Sequence, residues 1–241
     1  MRKILMISLS ALILPLWPTF GQDPALTEDW SKKPPVITPG CRQQAPSDAV
    51  VLFRKGSDLE NWEGRNGQAN WKTWCRRMTV NGTGDIRTRE SFGDCQLHIE
   101  FRSPARIESE GQGRGNSGVY LQSRYEIQVL DSYDNETYYN GQAGSVYKQS
   151  APLVNASRKP GRWQTYDIVY RAPRFDADGT LLEAATVTVF HNGVLIQDHF
   201  EIRGTTVYAG TPTYQAHGEL PLLLQDHGNP VQYRNVWIRR L

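Results

Sequence analysis

The chain has 241 residues, and 27 Lys and Arg against 25 Asp and Glu give a formal net charge of +2. This near balance argues against nucleic acid or an anionic membrane surface as a partner. Aromatic residues make up 10% of the chain, and 21 Gly and 14 Pro accompany them. Such a composition favours many short strands joined by turns, with rings available to stack on sugar faces.

The first 22 residues are typical of a secretory signal peptide. Arg2 and Lys3 give a positive start, and residues 4–16 form an apolar run that is too short to span a bilayer. We therefore expect cleavage near Gly21 and an exported protein, periplasmic or extracellular, with no membrane span in the mature chain. An uncleaved anchor is the alternative.

Residues 23–47 are rich in Pro, Lys and Thr, which predicts an extended arm across the surface of a domain that covers residues 48–241. The chain has three cysteines, an odd number. In an oxidising compartment Cys75 and Cys95 are a candidate pair, and three free thiols are the alternative. The cysteine spacing matches no zinc site.

Short segments with alternating polarity follow one another along the domain. Strands are predicted at residues 50–53, 96–102, 119–122, 126–129, 165–171, 186–190, 220–224 and 231–238. Asn192-Gly193 suits a two-residue hairpin turn, whereas a helix over residues 143–155 has only weak support. The rhythm of strand and turn predicts an all-β sandwich of two antiparallel sheets, most simply a jelly roll.

A glycine-rich loop at residues 111–118 leads into the most informative strands. In the second of these, Ile127 and Val129 alternate with Glu126 and Gln128, so one face is apolar and the other carries an acid and an amide. The same alternation places Tyr120 on the polar side of the preceding strand. This arrangement predicts a concave, solvent-accessible sugar site above a hydrophobic core. The loop lacks the Gly-Lys-Ser/Thr ending of a phosphate-binding loop.

Polar side chains on four segments are candidates for one substrate-binding face. They are Glu100 and Arg102, then Arg114, Asn116 and Ser117, then Tyr120, Glu126, Gln128 and Asp131, and finally Gln225, Asp226 and His227.

Glu126 and Asp131 are the candidate pair of carboxylates for work on a glycosidic bond. Residues five apart in a regular strand face opposite sides, so a common face would need a β-bulge. Between them Gln128 stands where some jelly-roll glycosidases have an acid, which weakens the case for double displacement. A salt bridge from Glu126 to Arg102 or Arg124 is the structural alternative.

His227 lies beside Asp226 in a short polar loop, where it could act as a base held by the carboxylate or as a metal ligand. A surface histidine in a tight turn is the alternative. His98 shares a face with Glu100 and is a second candidate ligand. His98, Glu100 and His227 are therefore the candidates for a divalent cation, if the protein uses one.

Several motifs together resemble the 3-keto-disaccharide hydrolase family across essentially the whole chain after the signal. They lie at residues 27–31, 82–86, 92–94, 111–118, 125–132, 152–157, 163–164 and 225–230. The resemblance implies a concanavalin A-like jelly roll that acts on 3-keto-glycosides, by hydrolysis or by elimination followed by hydration. It also implies that a divalent cation is used in some members. The turns at residues 54–56 and 139–141 depart from the usual family pattern, so the rim of the site differs.

A ketone at sugar C3 acidifies the hydrogen on C2, so elimination needs one base, a group that stabilises the enolate and an acid for the leaving group. We expect Glu126 or His227 as the base and Arg102 or a metal as the enolate stabiliser. A non-catalytic carbohydrate-binding module and a conventional glycosidase are the competing functions.

Overall fold

The computed structural model describes residues 23–41 and 44–241, so the predicted signal peptide lies outside the described residues. The chain divides into two units, residues 1–36 and 37–241, and the predicted arm spans this division. In the described part of the first unit, a 3₁₀ turn, Pro24–Thr27, begins after Asp23, whose carboxylate accepts from the Ala25 amide. Among the described residues, no helix has the length and apolar character needed to cross a membrane.

The described part of the second unit is built almost entirely from short strands. They are β1 Val50–Phe53, β2 Trp62–Gly64, β3 Gly67–Gln68, β4 Lys72–Trp74, β5 Arg77–Thr79, β6 Ile86–Phe92, β7 Cys95–Arg102, β8 Ser117–Leu121, β9 Tyr125–Val129, β10 Gln164–Arg171, β11 Arg174–Phe175, β12 Leu181–Glu183, β13 Thr186–His191, β14 Val194–Glu201, β15 Leu220–Leu224 and β16 Gln232–Arg240. Short 3₁₀ turns lie at Gly56–Asn61, Gly111–Gly113 and Tyr139–Gly141.

Two antiparallel sheets contain nearly all of these strands. The larger has the order β14-β13-β10-β7-β16-β5-β4, with β1 also paired to β16, and the smaller has the order β3-β2-β6-β15-β8-β9. Strands β11 and β12 form a separate ribbon. The predicted all-β sandwich is confirmed, and its inner faces supply one continuous hydrophobic core.

Alternation along the strands decides which side chains reach the core. In β7, Leu97, Ile99 and Phe101 are fully buried in it, so the intervening polar residues face outward from the larger sheet. In β9, Ile127 and Val129 are buried in the same core, and the residues between them face outward from the smaller sheet. The two polar faces therefore lie on opposite sides of the sandwich.

The predicted hairpin is confirmed, because Asn192 and Gly193 join β13 to β14 with φ of +54° and +83°. The helix considered over residues 143–155 is wrong. Gly144 and Lys148 have φ of +82° and +63°, which a right-handed helix does not allow, and Val146 forms isolated bridges instead.

The candidate disulfide between Cys75 and Cys95 is also wrong, since all three cysteines are free thiols. Cys75 is exposed in the turn after β4, whereas Cys95 is buried at the start of β7. Burial raises the pKa of the Cys95 thiol to about 12, so this side chain behaves as a small apolar residue.

Three buried tyrosines of the larger sheet donate hydrogen bonds across the core to the smaller one and its turns. The hydroxyl of Tyr166 donates to the Gln128 carbonyl at 2.8 Å, and that of Tyr233 donates to Ser117 Oγ at 2.7 Å. The hydroxyl of Tyr170 donates to Oε1 of the Gln122 side chain. Burial raises the pKa of all three phenols, so they remain neutral donors. These bonds fix the position of β8 and β9 relative to the larger sheet.

We expect Tyr166→Phe to lower the free energy of unfolding by about 1 kcal/mol, the usual net value of one hydrogen bond. The loss stays moderate because the Gln128 carbonyl also accepts from the Gly144 amide at 2.9 Å. Urea denaturation measures it, with Tyr208→Phe as the control, because Tyr208 is 81% exposed. Equal stability of the Tyr166 variant and the parent protein would show that the cross-core bond adds nothing.

Candidate active site

A cavity of about 450 Å³ lies at the polar face of the smaller sheet. Residues from β8, β9, the loop before β8 and the loop after β15 line it together with aromatic residues from longer loops. The lining residues are Gln112, Gly113, Asn116, Tyr120, Glu126, Gln128, Tyr138, Tyr147, Thr206, Tyr208, Gln225 and His227.

Glu126 is the one carboxylate among the described residues that line this cavity, and it is only 3% exposed. Tyr120 Oη donates to Glu126 Oε2 at 2.8 Å, and Gln225 Nε2 donates to Tyr120 Oη at 3.3 Å. Burial raises the pKa of Glu126 from 4.5 to about 7, although the bond from Tyr120 opposes this. Glu126 can therefore gain or lose a proton near neutral pH.

A glycine on the neighbouring strand makes room for this carboxylate. Gly118 pairs with Gln128, and Tyr120 pairs with Glu126, in the antiparallel register of β8 and β9. A Cβ at position 118 would lie 2.5 Å from Glu126 Oε1 and 2.7 Å from Tyr120 Cε2. Gly118, the last glycine of the glycine-rich sequence and a residue of β8, thus leaves the space that the Glu126 carboxylate occupies against the sheet.

Side-chain amides form one wall of the cavity. Gln128 Nε2 donates to Gln112 Oε1 at 3.0 Å, and Gln112 Nε2 donates to the Gly141 carbonyl at 2.9 Å. The Asn116 amide nitrogen donates to the Gln112 carbonyl. Within the described residues, the side-chain oxygens of Gln128 and Gln225 are buried and have no hydrogen-bond partner. Both are acceptors that hydroxyl groups of a ligand could satisfy.

Three tyrosines form the opposite rim, and the sequence analysis did not identify them. Tyr138 Oη and Tyr147 Oη lie 2.7 Å apart and share one hydrogen bond, which leaves one O–H able to donate to a ligand. The Lys148 ammonium lies 3.9 Å from the Tyr138 ring centroid and 5.5 Å from that of Tyr208. Only the high aromatic content of the chain hinted at this rim.

Six residues predicted for the site line the cavity: Asn116, Tyr120, Glu126, Gln128, Gln225 and His227. His227 is exposed at its edge. Asp226 does not hold the His227 ring, because its carboxylate accepts from the backbone amides of Gly84 and Gly228. Asp226 therefore shapes the loop and does not line this cavity, and its contact with substrate stays a prediction.

Asp131 and Ser117 also lie outside the cavity. Asp131 follows β9 and forms a buried ion pair with Arg114 at 2.7 Å. The pairing of β8 with β9 runs over Ser117–Leu121 without a register shift, so the bulge that would have joined Asp131 to Glu126 is absent from these strands. Ser117 shares the inward face with Val119, and its hydroxyl donates to the Gln225 carbonyl at 2.6 Å. Asp131 and Ser117 are thus held by partners within the protein and do not line the cavity around Glu126.

Glu100, Arg102 and His98 are not brought to Glu126, which corrects the prediction of a single polar face. All three lie on β7 of the larger sheet and face away from the smaller one. The sheet to which β7 belongs is decided by its pairing with strands distant in sequence, and the alternation of side chains within β7 does not reveal that pairing. The salt bridge considered for Glu126 is replaced by the bond from Tyr120.

The described side chains do not fit the divalent cation considered above. Within residues 23–41 and 44–241, no group of three His, Cys, Asp or Glu side chains is arranged to hold a metal ion. Both Glu100 oxygens already accept bonds, from Arg234 at 2.6 Å and from Asn235 at 2.9 Å. His98 contacts Asp167 at 2.6 Å, far from His227 on the other face.

Comparison with known proteins agrees with this architecture. Residues 48–239 match the family of 3-keto-alpha-glucoside-1,2-lyase-like domains. The chain belongs to this family. A candidate glycosyl hydrolase from Parabacteroides distasonis ATCC 8503 is 49% identical, with a TM-score of 0.87 over 92% of this chain and 98% of that one. No curated protein matches the chain significantly.

Two further candidate glycosyl hydrolases from Parabacteroides distasonis ATCC 8503 share the fold of the present chain and are each 20% identical to it. Their TM-scores are 0.58 and 0.53, and each match covers 80% of this chain and 94% or 99% of the other. These two neighbours therefore show the fold alone, whereas the family and the 49% identical neighbour support a carbohydrate-active role.

The raised pKa of Glu126 predicts a distinctive dependence of stability on pH. Since the folded protein holds this proton more tightly than the unfolded chain, the free energy of unfolding falls as pH rises from 4.5 to about 7. Glu126→Gln removes this loss. The free energy of unfolding of the variant minus that of the parent protein should therefore increase by about 3 kcal/mol as pH rises from about 4 to about 8.

Urea denaturation at the two pH values measures the gain, and Glu183→Gln is the control because Glu183 is an exposed carboxylate on β12. A Glu126→Gln variant whose stability changes with pH in parallel with the parent protein would contradict a buried, protonated Glu126.

Proposed function

We propose that the protein cleaves glycosides that carry a ketone at sugar C3. The supporting observation is a cavity with a single, buried carboxylate whose pKa is near 7, surrounded by uncharged donors and acceptors. Family membership and the neighbouring candidate glycosyl hydrolases favour a glycoside as substrate. A ketone at C3 makes one such base sufficient, because it lowers the pKa of the hydrogen on C2.

In this proposal the Glu126 carboxylate takes the C2 proton, and the electron pair moves onto the ketone oxygen as an enolate. Collapse of the enolate forms the C1–C2 double bond and expels the group at C1, which receives a proton and leaves as an alcohol. Addition of water across the double bond then gives the free 3-keto sugar. Overall, one glycoside and one water become one sugar and one alcohol.

The remaining roles go to residues that line the same cavity. The free O–H of the Tyr138–Tyr147 pair donates to the enolate oxygen, with the Lys148 ammonium close to the Tyr138 ring. His227 at the edge protonates the leaving group, which must face solvent to depart. Arg102 has no part in this step because it lies on the other sheet.

A conventional glycosidase is a weaker candidate. Hydrolysis by inversion or retention uses two carboxyl groups that flank the scissile bond. In the cavity as described Glu126 has no second carboxylate beside it, since Asp131 is committed to Arg114.

The decisive assay gives the protein matched disaccharides with and without a 3-keto group, in the presence and absence of a chelator. We expect product from the 3-keto substrate alone. Glu126→Gln should lower kcat by about 100-fold or more, the usual contribution of a general base, and Glu183→Gln should leave it unchanged. Full turnover by both Glu126→Gln and His227→Ala would refute the assignment. Saturable binding without product would favour a binding module.

The pH dependence of kcat/KM offers an independent check. Because the base must be ionised, the rate should rise with pH and reach half its plateau near the Glu126 pKa of about 7. Tyr120→Phe removes a hydrogen bond that lowers this pKa, so the rising limb should move to higher pH. A limb that stays in place, or moves lower, in the Tyr120→Phe variant would contradict the role of this bond.

We further propose that the protein is exported by its first 22 residues. The supporting observation is a positive start followed by an apolar run of signal-peptide length. Mass spectrometry of the protein from an exporting cell should find a new N-terminus near Gly21. A chain that retains Met1 in the membrane fraction would instead support an uncleaved anchor.

A further inference from the structure

A second cavity, of about 590 Å³, contains an unusual concentration of positive charge. Its lining residues are Arg102, Arg158, Lys159, Gly161, Arg162 and Trp163. Four of the six are cations, and none is an acid. The cavity shares no lining residue with the one around Glu126, and its one strand residue, Arg102 at the end of β7, belongs to the larger sheet.

The four cations lack carboxylate partners in the part of the chain that the structure describes. Among the described residues, none of them lies within 4 Å of an Asp or Glu oxygen. Elsewhere the arginines of the sheets are commonly paired: Arg87 with Glu63, Arg174 with Asp94 and Arg240 with Glu219. Four cations without an ion pair therefore lie together in this cavity.

Arg102 is the most constrained of the four. Its guanidinium donates to Gln232 Oε1, a neutral acceptor, and lies 4.8 Å from the Trp163 ring. The guanidinium of Arg234 lies 4.0 Å from the same ring. Burial and the neighbouring charges of Arg77 and Arg234 lower the pKa of Arg102. An anion bound here would relieve this repulsion.

Two carboxylates on the sheet that carries Arg102 are already committed to other groups. Glu100 accepts from Arg234 and Asn235, and Asp167 contacts His98 at 2.6 Å. Burial raises the pKa of Glu100, but hydrogen bonds with His98, Asn235 and Arg234 and the charge of Arg234 more than offset it and lower the pKa to about 2. Neither acid is available to neutralise the cavity.

We propose that this cavity binds the carboxylate or sulfate groups of an acidic saccharide. Guanidinium groups suit both anions because they donate two parallel hydrogen bonds. The size of the cavity fits a sugar unit better than a lone ion. The carbohydrate-active role of the family favours a saccharide as the carrier of the charge. The inference stands apart from the proposed elimination and concerns a second place at which the protein binds a saccharide.

Calorimetric titration of the full protein tests the proposal with four probes: an oligosaccharide of uronic acids, a sulfated oligosaccharide, a neutral oligosaccharide of equal length and inorganic sulfate. We expect at least one acidic oligosaccharide to bind at least tenfold more tightly than the neutral one and inorganic sulfate, and its affinity to fall as salt rises.

Arg158→Ala combined with Lys159→Ala should weaken that binding by about tenfold or more, because both cations lose their hydrogen bonds to the anion. Both residues are exposed, so the fold should persist, as circular dichroism can verify. Lys55→Ala combined with Arg65→Ala removes the same charge elsewhere and should leave affinity unchanged.

Equal affinity for acidic and neutral oligosaccharides would overturn the proposal, as would equal affinity for the acidic oligosaccharides and for inorganic sulfate. The proposal is also wrong if the Arg158/Lys159 double variant binds as tightly as the parent protein. It is equally wrong if the Lys55/Arg65 control variant loses as much affinity as the double variant. Activity on a 3-keto substrate is measured separately, so failure of one proposal does not decide the other.

Discussion

Hydrogen bonds across the interior of the sandwich position the candidate active site. Tyr166 and Tyr233 extend from the larger sheet and donate to Gln128 and Ser117 on the two strands that carry the site. Because these donors are fully buried, shifting either strand would leave polar groups unpaired in an apolar core. The strands are therefore held in one register, and Glu126 keeps a fixed place on the opposite face.

Holding Glu126 in this position costs stability when the carboxyl group ionises, and the same effect raises its pKa into the range that the proposed chemistry needs. Burial against β8 disfavours the ionised form of Glu126, and Tyr120 compensates only in part. Gly118 allows the close approach by leaving the space that a side chain would fill. Ionisation of a carboxyl group held this way lowers the stability of the folded protein, but its pKa suits proton transfer near neutral pH. The same feature thus weakens the fold and suits the site to a single-base reaction.

Local patterns predicted the strands and their faces well. Alternation correctly placed Glu126 and Gln128 outward on β9, and the family motifs identified the fold. The same reasoning could not tell which sheet β7 joins, because pairing joins residues far apart in sequence, and so it wrongly grouped Glu100 with Glu126. Tyr138 lies in a loop without periodicity, where no local signal shows that it turns back to the cavity.

The central claim is that burial and Tyr120 hold the Glu126 carboxyl ready to exchange a proton near neutral pH. Nuclear magnetic resonance of the protein with ¹³C-labelled glutamate side chains tests it by following each carboxyl carbon through a pH titration, with Glu126→Gln to assign the signal. We predict one glutamate with a midpoint near 7 that disappears in the variant. A Glu126 signal that titrates near 4.5 would contradict the account.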